Sequence, residues 1–225
     1  MSAPLSEEPR TGGRALERWA ALGGILYVVL FIVGLLVSEN GQPKQDAAPA
    51  KVIAFYSQSS HRDRIAIGWL IMLVGFALFI VFLGALAQSV RRLAGDSALV
   101  RITVIGGTVY VAAGVIGSSL STAIKTMSDD TYRHQVYPEL IHLASDSGYV
   151  IHSGGGAGVA AMMISASVAA MRARAVPAWA GWLGVVAGIA AIFSIFFFPW
   201  IVTAVWLVIV SAMLFVAGGR PARTV

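Results

Sequence analysis

From Ala178 to Ala217 the chain reads AWAGWLGVVAGIAAIFSIFFFPWIVTAVWLVIVSAMLFVA, forty residues without one charge. As a single helix at ~1.5 Å per residue it would run about 60 Å, twice the roughly 30 Å of bilayer hydrocarbon. The stretch must turn back. Phe196-Phe197-Phe198-Pro199-Trp200 is the expected place, because Pro199 cannot donate to a helix and the aromatic rings suit a membrane interface.

Four more stretches are uncharged for about the 20 residues a crossing needs: Trp19 to Ser38, Ile65 to Ala87, Ile102 to Ile124 and Tyr149 to Met171. The expected architecture is an all-α polytopic transmembrane bundle of six spans, at 19–38, 65–87, 102–124, 149–171, 178–196 and 199–217. Tails of 1–18 and 218–225 complete the 225 residues. The first span reads as an uncleaved anchor. Its apolar run exceeds the roughly 7–15 residues of a signal core, and Val37-Ser38-Glu39 makes a poor cleavage site.

Composition agrees. Charged residues are 12% of the chain, about half the share in a soluble domain. Counted with Gly and without Tyr, the apolar share is about 65%, against roughly 45–50% for soluble proteins. A soluble globular fold cannot hide that much apolar surface, and disordered chains are poor in it. Cys is absent, which excludes disulfides, thiolate zinc sites and iron–sulfur clusters. The +5 net charge is no sign of nucleic acid, since the basic residues flank apolar spans. Only 3 of 16 basic residues are Lys, and with the Ala, Val and Gly richness this points to a GC-rich bacterial genome.

Orientation follows from the basic residues. The two tails and the second and fourth loops carry ten Lys and Arg, and the other side carries six. The positive-inside rule places the ten, and both termini, in the cytoplasm. A multi-pass protein of a bacterial inner membrane is the expectation, with the bilayer as its first partner. Arg62 and Arg64 are expected to snorkel at the mouth of the second span.

In the first outer loop, Asp46-Ala47-Ala48-Pro49 is a helix-start signal. Val52, Ile53, Phe55 and Tyr56 form the apolar face of a short helix, packed across the bundle top or laid on the outer leaflet. Small residues mark the helix contacts: Gly154 and Gly158, the ladder Ala180, Gly184 and Gly188, and the pairs Gly107 with Gly114 and Gly68 with Gly75. They serve packing within the chain, or a homodimer or membrane-protein partner.

All four His, His61, His134, His142 and His152, fall on the outer side. Pro138 as a first helical residue and Gly148 as a stop frame a short helix there. Glu139, His142 and Asp146 share one of its faces, and His152 follows one turn into the fourth span. Ser118, Ser121, Thr122 and Lys125 form a stripe on the outer end of the third span. If those spans are neighbours, the stripe meets His152 and Ser153 in a polar pocket.

Imidazole with carboxylates suits a divalent transition metal. Glu139-Leu140-Ile141-His142 also matches one half of a carboxylate di-iron motif, which needs two. The plainer alternative is local pairing, with Glu139 favouring a helix N-terminus and His152 bonding the Ser stripe. Ser118 or Ser119 with His152 as base would make a hydrolase, but membrane Ser usually bonds its own helix. Apart from His152, no Asp, Glu, Lys, Arg or His lies well inside a span, which argues against a proton-coupled pump.

The run Arg18-Trp19-Ala20-Ala21-Leu22-Gly23-Gly24-Ile25-Leu26-Tyr27 resembles a family of bacterial six-span integral membrane proteins of unknown function. So do Lys51-Val52-Ile53-Ala54-Phe55-Tyr56 leading to Arg62-Asp63-Arg64, and Pro177-Ala178-Trp179-Ala180-Gly181-Trp182-Leu183-Gly184. The resemblance spans most of the chain. It implies architecture and carries over no functional residue and no cofactor. Three functions remain open: a non-enzymatic protein that binds a partner or small ligand at its outer face, a metal-dependent membrane enzyme at Glu139, His142, Asp146 and His152, and a uniporter or lipid-handling protein.

Overall fold

A computed structural model of the chain describes residues 11–126 and 135–218. His134 lies outside the described residues. Within them the fold is all-helical, without a strand: α1 (Thr11–Ala21), α2 (Gly23–Glu39), α3 (Pro49–Tyr56), α4 (Ser59–Ala94), α5 (Ala98–Thr126), α6 (Pro138–Arg172), α7 (Ala178–Ala191) and α8 (Phe198–Gly218). Five helices are long and apolar enough to cross a membrane: Ala15–Glu39, in which α1 runs into α2, then α4, α5, α6 and α8. The chain is a membrane-embedded helix bundle. Its lipid-facing character is plain at Leu70, Val74, Ile105, Val186 and Val205, each more than half exposed.

α7 is the short member. Fourteen residues span about 21 Å at ~1.5 Å each, less than the hydrocarbon thickness. It stops at Ala191, five residues before the expected span end. A 3-10 turn follows over Ser194–Phe196, and Phe197 sits at φ +61 before α8 starts. The reversal therefore occupies 192–197 rather than 196–200. Pro199 does not break the chain but lies in the first turn of α8, where its missing N–H costs nothing.

Other expectations are corrected by continuity. Gly148 is no helix stop, for α6 runs unbroken through it for 35 residues. Pro138 does open the helix. Part of the N-terminal tail is helical: Arg92 pairs with Glu17, and the Arg18 guanidinium lies 4.2 Å from the Phe215 ring centroid.

The glycines explain why the helices pack so closely. α5 and α6 share the most extensive contact in the bundle. A Cβ added to Gly106 would stand 2.5 Å from the Gly158 carbonyl oxygen, and one on Gly148 2.5 Å from that of Gly117. Backbone meets backbone at both levels, which only Gly permits. Thr103 and Ser165 hydrogen-bond across the same seam at 2.8 Å. Gly34 and Gly68 do likewise for α2 and α4. Gly154, read as half of a GxxxG pair, faces open space instead. Its partner Gly158 belongs to the α5 contact, so the pair is not one seam.

The main core lies where α2, α4, α5, α6 and α8 converge. Tyr27 and Tyr110 share a buried hydrogen bond of 2.6 Å, and Phe31, Phe76 and Phe79 pack around the Tyr27 ring. A smaller cluster caps one end of the bundle, where Val52 and Tyr56 of α3 pack on Ile65 and Ile141. Thus α3 lies across the bundle rather than on its own. It begins at Pro49 with Ala48 before it, and no side chain caps it. Arg62 turns inward, only 5% exposed, and donates to the Tyr56 carbonyl at 2.9 Å. It does not snorkel.

Candidate functional site

Beneath α3, at the end of the bundle that holds Glu39 and Lys125, lies a cavity of about 450 Å³. Four helices build it. α2 brings Phe31, Leu35, Ser38 and Glu39; α5 brings Ser118, Ser121, Thr122 and Lys125; α6 brings His142, Ser145, Asp146, His152 and Ser153; Met72 comes from α4. The chain after α2 adds Gln42 and Gln45, α3 adds Tyr56, the reversal before α8 adds Ser194 and Phe197, and the first turn of α8 adds Trp200.

Of the nine residues singled out in the sequence, eight line this one cavity. The Ser118, Ser121, Thr122, Lys125 stripe does face His152 and Ser153, because Gly117 and Gly148 bring α5 against α6 between them. Glu139 is the exception. It is exposed on α6 and does not line the cavity. His61 lies apart as well, stacked on Phe55 at 4.0 Å with its Nδ1 2.9 Å from the Phe55 carbonyl.

The cavity changes character along its length. Its mouth holds charges, and these are paired. The Lys125 side chain is 7% exposed, and its ammonium donates to Gln42 Oε1 at 3.0 Å and lies 3.8 Å from Glu39. The Tyr56 hydroxyl donates to the same Gln42 oxygen at 2.8 Å, and Gln42 Nε2 donates to the Ser38 carbonyl at 2.8 Å. Gln42 thus ties α2, α3 and α5 together. Burial, and then the Glu39 carboxylate, push the Tyr56 hydroxyl above its usual range, so it stays a donor. Asp146 accepts from Gln45 Nε2 at 3.1 Å.

Phe31 lies eight residues before Glu39 on the same helix, about 12 Å further in at ~1.5 Å per residue. The floor there is aromatic. Phe31 packs on Trp200 with centroids 5.1 Å apart, and Trp200 lies beside Phe197 at 6.2 Å. His152 sits at this depth, 5.4 Å from Phe31, 6.4 Å from Phe76 and 6.1 Å from Tyr110.

Between mouth and floor runs a wall of uncharged polar groups. Ser118 bonds back to the Val115 carbonyl at 3.2 Å, and Ser145 to that of Ile141 at 2.8 Å. Among the described residues, neither the His152 imidazole nor the hydroxyls of Ser121 and Ser153 bonds to another protein group. Three His, Cys, Asp or Glu side chains close enough to hold a metal ion do not occur among the described residues.

The sequence pattern does not assign Glu39, Gln42 or Tyr56 to the pocket, and places Tyr56 only on the apolar face of α3. Gln42 meets Lys125 across 83 residues of sequence, and no local spacing encodes that contact. The available signal was a polar run of Glu39 to Gln45 directly after a span.

Comparison with protein-family models, curated proteins and solved structures returned no match.

Proposed function

We propose that this chain is a six-span protein of a bacterial inner membrane, with both termini in the cytoplasm, that binds a small ligand in its outer-face cavity. On this reading α7 and the reversal after it form the fifth, short crossing. The ten-to-six bias of basic residues supports the orientation.

One observation carries the binding function: a cavity of about 450 Å³, with an aromatic floor and a polar mouth. That volume falls in the roughly 300–1,000 Å³ range of small-molecule sites, which are mostly apolar with a few placed polar groups. Among the described residues no hydrogen bond joins a cavity serine to His152, and the Ser118 hydroxyl is turned to its own helix.

Native mass spectrometry of the purified full-length chain tests this. The wild type is expected to retain a small molecule that Ser121→Trp, which fills the cavity, has lost. Identical spectra for the two folded proteins would refute it. Reporters fused to the two termini are expected on the same, cytoplasmic face.

A metal-dependent reading keeps one observation in its favour, His142 and Asp146 one turn apart on the cavity wall. Elemental analysis after purification without chelator separates the two. About one transition metal per chain, lost in His142→Ala, would favour the enzyme.

A further inference from the structure

We infer that the ligand is a membrane amphiphile whose polar head is uncharged and hydrogen-bonding, an inference that rests on the cavity being a binding site. The polar groups of the cavity that are already satisfied set the chemistry of the head.

The charges at the mouth are spoken for. Lys125 has Glu39 and Gln42, and Asp146 has Gln45. A charged head would have to displace one of these contacts, which a neutral head leaves in place. Of the groups left open, His142 stands toward the mouth, ten residues before His152 on α6, and those at the inner end are one His and two Ser. His152, Ser121 and Ser153 line the cavity and make no bond to protein among the described residues. These polar atoms open onto the cavity, where a guest can pair with them. A neutral imidazole offers one donor and one acceptor, and each hydroxyl offers both. This inner wall matches alcohol, carbonyl or amide groups, and among the described residues it carries no Asp, Glu, Lys or Arg to hold a carboxylate, phosphate or ammonium.

The apolar half of the guest is set by the floor. Phe31, Phe197 and Trp200 surround the inner end beside His152. The reversal before α8 lines that side. Ser194 and Phe197 line it, while Phe193, Ile195, Phe196 and Phe198, which do not, are 50–73% exposed on the outside. Side chains of this one segment thus face both the cavity and the outer surface. A head held at His152 leaves its chain against these rings.

The test uses three probes with one and the same dibrominated acyl or alkyl chain: a monoglyceride, a fatty acid and a fatty amine. Each is titrated into the full-length protein in detergent micelles. Quenching of Trp200 is read as the difference between wild type and Trp200→Phe. The monoglyceride is expected to quench at concentrations about tenfold below the other two, and His152→Phe to weaken it about tenfold, the size of one to two hydrogen bonds. Ser121→Ala serves as a second, milder variant, expected to weaken it by about threefold. If the acid or the amine binds best, or both variants bind the monoglyceride like wild type, the neutral-head inference is overturned and the cavity reading stands. If no probe quenches Trp200 saturably, the cavity reading falls with it.

Discussion

Alanine at Gly106 and at Gly154 should act in opposite directions. Both glycines lie inside long helices, where Ala is preferred by roughly 0.8–1.0 kcal/mol. At Gly154 a new Cβ meets nothing within 4 Å, so that preference survives and the variant should gain up to about 1 kcal/mol. At Gly106 the Cβ would stand 2.5 Å from the Gly158 carbonyl oxygen and 2.8 Å from the Met162 nitrogen. Atoms rest about 3.5 Å apart or more, so α5 and α6 must part by about 1 Å. Overpacking of this kind costs about 1–3 kcal/mol. The Thr103–Ser165 bond, one turn away, would stretch as well, at about 0.6 kcal/mol for a typical bond between membrane helices. With the helix preference subtracted, Gly106→Ala should lose about 0.6–2.8 kcal/mol. Reversible unfolding of the full chain in mixed micelles, titrated with a denaturing detergent and followed by helix signal, measures both. If Gly154→Ala proved as destabilising as Gly106→Ala, backbone contact would not be what holds the seam.

Tyr27→Phe and Tyr110→Phe should couple by about 0.5–1.5 kcal/mol in a double-mutant cycle, since both lose one buried bond; additive costs would contradict that bond. Glu39→Gln should destabilise by only about 0.5–1 kcal/mol, because Glu39 is half exposed, with Lys125→Met within about 1 kcal/mol of wild type. A loss above about 3 kcal/mol for either, in the same unfolding assay, would mean the mouth holds the fold together rather than the cavity open. Tyr56 holds its proton more tightly folded than unfolded. Its contribution is therefore intact below the unfolded value of about 10 and declines as pH rises from there toward the folded one. Stability measured against pH should show that decline in wild type and not in Tyr56→Phe.

The apolar spans and the polar stripes were legible because each is a local pattern. Ser118, Ser121, Thr122 and Lys125 share a helix face by spacing alone, and so do His142 and Asp146. What escaped depended on tertiary context. Gly148 carries every local mark of a stop, yet it sits mid-helix because Gly117 needs its lack of a side chain. Pro199 looks like a breaker, but at a helix start it breaks nothing. Arg62 looks like a snorkelling cation, but the end of α3 offers it a carbonyl. Glu39, Gln42 and Tyr56 complete the mouth only because α3 folds over the bundle, an event that helical periodicity does not foretell.

The α5–α6 wall has one more implication. Helices held apart by side chains can yield, since rotamers turn and open a gap. Helices in direct backbone contact, as at Gly117 and Gly148, have nothing to rotate. Traffic into the chamber must then avoid this wall, and a crosslink across the stiff seam would leave entry and escape as they were.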